Sequence, residues 1–108
     1  MATFADFWAE LKSELGVFAS KSWSSFRDEA VSDANAFADK ARSDLQRWTS
    51  MLASGALTKD DFEWLLQSKK DLAELVSLKQ AGLAQVALDR FTNGVLNVTI
   101  TAAFKVFL

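Results

Sequence analysis

The sequence predicts an all-α protein built on a hairpin of two long amphipathic helices. The 108-residue chain contains no Pro and only four Gly, so it lacks the residues that many tight β-turns require. Apolar side chains recur at helical spacing through both halves of the chain. The clearest turn signal, Ser54–Gly55–Ala56–Leu57, lies near the middle. Together these features predict one domain, residues 1–108, with a central turn.

The first helix is predicted over about residues 4–52. Thr3 can cap its N-terminus, because Asp6 follows three residues later. One apolar column repeats every eleven residues, at Phe4, Leu15, Phe26, Phe37 and Trp48. A second column lies beside it, at Trp8, Ala19, Ala30, Ala41 and Leu52. Eleven residues fill three helical turns, so both columns stay on one face of a continuous helix.

A competing interpretation breaks this helix near residues 20–25. The segment is rich in Ser, whose side chain competes for backbone hydrogen bonds, and Ser25–Asp28 offers a second capping box. The eleven-residue columns keep their register across the segment, which favours one continuous helix over two shorter ones.

The turn is predicted at about residues 53–57, where Gly55 can adopt the left-handed conformation that ends a helix. Thr58 then begins the second helix. Its hydroxyl can accept from the backbone N–H of Asp61, whose carboxylate can reach back to Thr58. Leu57 and Phe62 occupy the two positions of a hydrophobic staple. Cap and staple agree on this helix start.

The second helix is predicted over about residues 59–107, with a break near Gly82 or Gly94. The eleven-residue spacing continues through two further columns: Phe62, Ala73, Ala84, Val95 and Val106, and Leu65, Val76, Ala87 and Val98. Residues 95–101 also alternate like a β-strand. Helix is favoured there, since no other segment offers a partner strand.

The predicted helices are too long for a compact monomer. A helix over residues 4–52 measures about 74 Å, whereas a compact domain of this size has a radius of gyration of about 13 Å. A two-helix hairpin covers only part of its apolar face, so we predict that two hairpins form a four-helix bundle by dimerisation. Breaks near residues 20–25 and Gly82 would instead allow a monomeric four-helix bundle. The predicted self-association stripe comprises Phe4, Trp8, Leu15, Phe26, Phe37, Trp48, Phe62, Leu65, Val76 and Val95.

The composition argues against most catalytic and metal-site chemistry. Without His or Cys, the chain cannot form a Ser-His-Asp triad or a zinc site of imidazole and thiolate ligands. The four Gly are too far apart for a phosphate-binding loop. We therefore expect a protein that is not an enzyme, with no catalytic residue, metal ligand or cofactor.

Three other groups of residues are candidates for sites. Asp28, Glu29 and Asp33 could hold a cation, but a solvated acidic face is favoured. Lys69–Lys70 is expected to be solvated or ion-paired rather than a phosphate site. The aromatic side chains could line a ligand cavity, but their spacing favours core or interface positions for Trp8, Trp48 and Trp64. Trp23 lies off the two main columns and is the better candidate for an exposed contact.

Charge distribution and periodicity define the expected partners. The half up to Ser54 carries six basic and eight acidic residues, and the half from Gly55 carries six of each. This balance predicts no nucleic-acid partner. In its eleven-residue period the chain resembles apolipoprotein-type helices, which implies a lipid-surface function as one alternative. The acidic balance and the Thr58 cap favour a different function. In this interpretation the chain is a small structural or interaction protein that binds a second copy of itself or another helical protein. The N-terminus resembles no signal peptide, so the cytoplasm is the expected location.

Overall fold

The computed structural model describes residues 2–108, which form five α-helices and no β-strand. This confirms the all-α prediction, including a helical conformation for residues 95–101. Two short 3₁₀ turns, Ser24–Phe26 and Lys70–Leu72, lie between helices. The helices are α1 (Phe4–Ser22), α2 (Arg27–Ser54), α3 (Lys59–Gln67), α4 (Val76–Gln80) and α5 (Gln85–Phe107).

Two predicted capping boxes begin α1 and α3. Thr3 Oγ1 accepts from the Asp6 N–H at 3.2 Å, and the Asp6 carboxylate accepts from the Thr3 N–H at 2.9 Å. Thr58 and Asp61 repeat this exchange at 3.1 and 3.2 Å. Gly55 ends α2 in the left-handed region, with φ of 83°. These three predictions are confirmed. Each concerns hydrogen bonds between residues only three or four apart in the sequence, so the local pattern is enough to predict them.

The prediction of one continuous helix over residues 4–52 is wrong. The chain turns at Ser24–Phe26, and α2 returns antiparallel to α1, so that Lys12 reaches Asn35 and Asp39. The indole of Trp23 packs edge-on against the Phe91 ring, with centroids 5.3 Å apart. A straight helix would lose the stability that comes from burying this indole against a residue far along the chain. The break follows the alternative interpretation, although its capping box is not formed, since no side chain caps α2.

The second half is broken twice. Gly82 adopts a φ of 90° between α4 and α5, which confirms the break near that residue. Gly94 lies within α5, so a break at this alternative position is wrong. A further break over residues 68–75 was not predicted from the sequence. It ends at Leu75, which takes a φ of 55° while its side chain is only 4% exposed.

The three long helices pack side by side, with α1 between its antiparallel neighbours α2 and α5. α3 lies against α5 and α2, and α4 lies against α2. The fold measures 42 × 23 × 19 Å, with a radius of gyration of 13.6 Å, so it has the size of a compact domain. The largest fully buried side chains are Phe7, Leu11, Leu15, Phe37, Leu45, Phe62, Leu66, Leu78, Phe91 and Leu96.

Gly94 permits the closest contact between α1 and α5. A Cβ added at this residue would overlap the ring of Phe18. That ring is also held against Phe91, with centroids 5.6 Å apart, so it cannot move aside without losing the second contact. The missing side chain therefore sets the spacing of the two helices.

We predict that Gly94→Ala destabilises the protein by about 1–3 kcal/mol, because overpacking at Phe18 outweighs the higher helix propensity of Ala. Gly16→Ala is the matched control. Gly16 lies within α1 with no atom within 4 Å of an added Cβ, so this change should stabilise by up to about 1 kcal/mol. Urea denaturation measures both values. Similar stabilisation by the two substitutions would contradict the assigned role of Gly94.

Candidate interaction surface

The predicted self-association stripe is largely covered by the chain itself. Phe4, Trp8, Phe26 and Leu65 are half-buried, and Val76 is 53% exposed. The other five members are buried: Leu15, Phe37, Trp48, Phe62 and Val95. The breaks at Ser24–Phe26 and residues 68–75 let one chain cover a face that two straight helices would leave open. The structure therefore does not gather the stripe into one exposed surface.

Cationic side chains cover part of the half-buried aromatic rings near the N-terminus. The Arg42 guanidinium lies 5.0 Å from the Trp8 ring centroid and 5.9 Å from that of Phe4. Lys12 Nζ lies 4.9 Å from the Trp8 ring centroid. These cation–π contacts further reduce the aromatic surface that a partner could reach.

The structure places Trp23 differently from its prediction and excludes the core position for Trp64. Trp23, expected as an exposed contact, is half-buried against the core. Trp64, expected in the core or an interface, is 71% exposed in this chain. In the short helix α3, Phe62 and Leu66 face the core. Trp64 is two positions after Phe62, so it lies near the opposite side of the helix.

Asp33 is a buried cap, and the prediction that it belongs to a solvated acidic face is wrong. Only 5% of the residue is exposed, and its carboxylate accepts from the backbone N–H groups of Ser77 at 3.1 Å and Leu78 at 2.8 Å. Asp33, which lies on α2, therefore accepts hydrogen bonds from backbone N–H groups at the N-terminus of α4 that have no partner within that helix. The available sequence signal was its position between Ala30 and Phe37, at spacings of three and four residues on the apolar face of α2.

The other groups considered as sites remain on or near the surface. Asp28 is exposed and Glu29 is half-buried. Lys69 Nζ lies 3.7 Å from Asp44, which confirms the expected ion pair, and Lys70 is exposed. Within residues 2–108, no three acidic side chains come together as a group that could hold a metal ion.

An open groove between α1 and α5 combines exposed apolar surface with an unsatisfied charge. Its volume is about 400 Å³, and Val17 in its wall is 50% exposed. Glu14 Oε2 is buried there without a hydrogen-bond partner among the described residues. We call this surface the α1–α5 groove. It is lined by Glu14, Val17, Phe18, Lys21, Ser22, Asn97, Val98 and Thr101.

The nearest ion pair does not satisfy Glu14. Lys105 on α5 donates a hydrogen bond to Glu10 on α1. This hydrogen bond, followed by the negative charges of Glu10 and Glu14, raises the pKa of Lys105. Glu14 therefore acts on Lys105 through its charge, while the hydrogen bond goes to Glu10. Glu14 Oε2 is left buried without a hydrogen-bond donor among residues 2–108.

Two further grooves lie elsewhere on the surface and have different linings. One, of about 670 Å³, lies where the N-terminus of α1 meets the C-terminal ends of α2 and α5, with Phe4 and Phe107 in its wall. The other, of about 520 Å³, lies between the segment that includes α4 and the first turns of α5 and has Lys70, Lys79, Asp71 and Asp89 around it. Its mixed charges are exposed and select no ligand charge.

No helix in the described part of the chain is both long enough and apolar enough to cross a membrane. Comparison of the sequence with protein-family models, and of the protein with curated proteins and solved structures, gives no match. The fold and surface thus define an all-α protein whose α1–α5 groove is the strongest candidate for contact with another molecule.

We predict that Asp33→Ala destabilises the protein by about 1–3 kcal/mol, because the N–H groups of Ser77 and Leu78 lose their acceptor. Hydrogen exchange should rise most at the amides of Val76–Gln80. Asp28→Ala, an exposed change on the same helix, is the control and should cost less than about 1 kcal/mol. Equal effects of the two substitutions on stability and on exchange in α4 would show that Asp33 is not the cap.

Proposed function

We propose that this protein is a small, non-catalytic helical interaction protein that self-associates as a homodimer, with the cytoplasm as its expected compartment. The observation that carries the proposal is the α1–α5 groove, where Val17 exposes half of its surface beside the orphaned Glu14 carboxylate. Burying an aliphatic side chain of this kind is worth about 1.5–3 kcal/mol when fully removed from water. A helical segment of another protein is the alternative partner.

The dimensions of this face support a two-copy interaction. α1 contains 19 residues, so it is about 28 Å long, and two adjacent helices present a face about 20 Å wide. The projected area is about 560 Å² per copy, or about 1,100 Å² for both, which exceeds the roughly 1,000 Å² expected of a biological interface but lies below the range of about 1,200–2,000 Å² typical of stable ones. Pairing two such layers, each made of α1 and α5, forms a four-helix bundle with two helices from each copy.

The lipid-surface alternative is less well supported by the packing. An amphipathic helix that lies on a membrane presents its apolar stripe to the acyl chains. Here Phe37 is only 1% exposed and Phe62 is 0% exposed, so the stripe would have to leave the core before it could meet lipid. Opening the core would forfeit the burial of both rings, which favours the interaction protein.

We expect sedimentation velocity and light scattering to give a concentration-dependent species of twice the 11.9 kDa chain mass. Helicity measured by circular dichroism should be high in plain buffer and unchanged by vesicles. A chain that stays monomeric up to about 1 mM would contradict self-association, since it implies a dimerisation free energy weaker than about 4 kcal/mol. Helix formation only on addition of anionic vesicles would instead support the lipid-surface function.

A further inference from the structure

We propose that the α1–α5 groove is a two-fold interface in which a second copy of this chain lies antiparallel, with Glu14 of each copy opposite Lys21 of the other. This inference rests on the proposed self-association and specifies its surface and geometry. Three features support it: the order of charges along α1, the unsatisfied Glu14 oxygen and the uncharged residues that α5 contributes.

The groove side of α1 carries a charge pattern that is complementary to itself. Glu14, Val17, Phe18 and Lys21 follow the spacing i, i+3, i+4 and i+7, and all four line the groove, so they share one helix face. Glu14 and Lys21 are about 10.5 Å apart along the axis. Their midpoint lies between Val17 and Phe18. The apolar pair is therefore flanked by one negative and one positive side chain at equal distances.

A two-fold axis through this midpoint pairs opposite charges at both ends. In an interface with two-fold symmetry, a residue on one side of the axis faces the residue at the same distance on the other side. Glu14 then faces Lys21 of the second copy, and Val17 faces Phe18. Each dimer contains this ion pair twice, around a central cluster of four apolar side chains. A parallel arrangement would instead place like charges opposite each other.

Neither side chain forms an ion pair among the described residues, although the hydrogen bond and charge of Glu10, followed by the charge of Glu14, raise the pKa of Lys105. The five ion pairs found among residues 2–108 include neither Glu14 nor Lys21. Glu14 Oε2 is buried without a hydrogen bond, which is a costly state for a carboxylate oxygen. Lys21 is exposed in the last turn of α1. A second copy places a positive charge beside the half-buried Glu14 side chain and a negative charge beside Lys21 at the same time.

α5 contributes a wall without formal charge at the same level. Asn97, Val98 and Thr101 line the groove beside Val17 and Phe18. These side chains are of small to moderate size, and they place no charge against the approaching helices. An anionic membrane would attract Lys21 but repel Glu14, whereas a second copy pairs both charges, so the charge order favours a second copy.

Charge reversal at the two positions tests the arrangement. Glu14→Lys places Lys opposite Lys at both ends of the interface, and Lys21→Glu places Glu opposite Glu. Each variant alone should raise the dimer dissociation constant at least about tenfold, because like charges then meet twice. An equimolar mixture of the two variants should form heterodimers, since every facing pair is then opposite in charge. The double variant Glu14→Lys/Lys21→Glu should also dimerise.

The experiment uses the full chain, with a fluorescent label on one variant so that heterodimers are seen directly by sedimentation. Circular dichroism checks that each variant is folded. Glu63→Lys is the matched control, since it makes the same charge change at an exposed position of α3 outside the groove. This control should dimerise like the wild type.

The outcomes separate the two proposals. A wild-type chain that remains monomeric overturns self-association and the interface with it. A wild-type dimer that Glu14→Lys and Lys21→Glu leave unchanged overturns only the two-fold interface. Loss of dimers in the single variants without recovery in their mixture also overturns it, because the pairing of Glu14 with Lys21 would then be incorrect.

Discussion

Coverage of the apolar stripe is the constraint on which the rest of the structure depends. Four Trp and nine Phe are distributed along 108 residues, at a spacing that keeps many of them on one helix face. A straight helix cannot cover its own face, whereas a chain that turns back on itself can. The observed length of 42 Å, against the roughly 74 Å of one continuous helix, shows how far the chain is folded back to cover this surface.

Two of the breaks, at Ser24–Phe26 and over residues 68–75, are stabilised by contacts from elsewhere in the sequence. The turn at Ser24–Phe26 is associated with packing of Trp23 against Phe91, and the approach of α1 to α5 depends on the missing side chain of Gly94. Asp33 satisfies the N-terminus of α4, a helix of five residues that is too short to be stable by itself. The short helix α4 therefore depends on the packing of the rest of the fold.

Folding the stripe inward changes the physical basis for self-association. From the sequence, the drive to associate came from aromatic side chains that two straight helices could not cover. In the folded chain every Phe and Trp except Trp64 is buried or half-buried. The surface left for a partner is the smaller α1–α5 groove, in which Val17 and Phe18 lie between Glu14 and Lys21. The sequence stripe included neither Val17 nor Lys21, because they lie outside the two eleven-residue columns. Only the folded structure, in which α5 lies beside α1, shows that Val17 and Lys21 line the same groove as Glu14 and Phe18.

The sequence by itself determined the features that depend on neighbouring residues: the all-α class, the two capping boxes at Thr3 and Thr58, and the turn at Gly55. Their hydrogen bonds close within a few residues, so composition and spacing suffice to predict them. Only the tertiary structure decided the breaks near Trp23 and Leu75, and the role of Asp33. The reason is that these features depend on distant partners: Asp33 binds N–H groups 44 and 45 residues further along the chain. Such contacts form only after the helices pack, and no local pattern of residues specifies them.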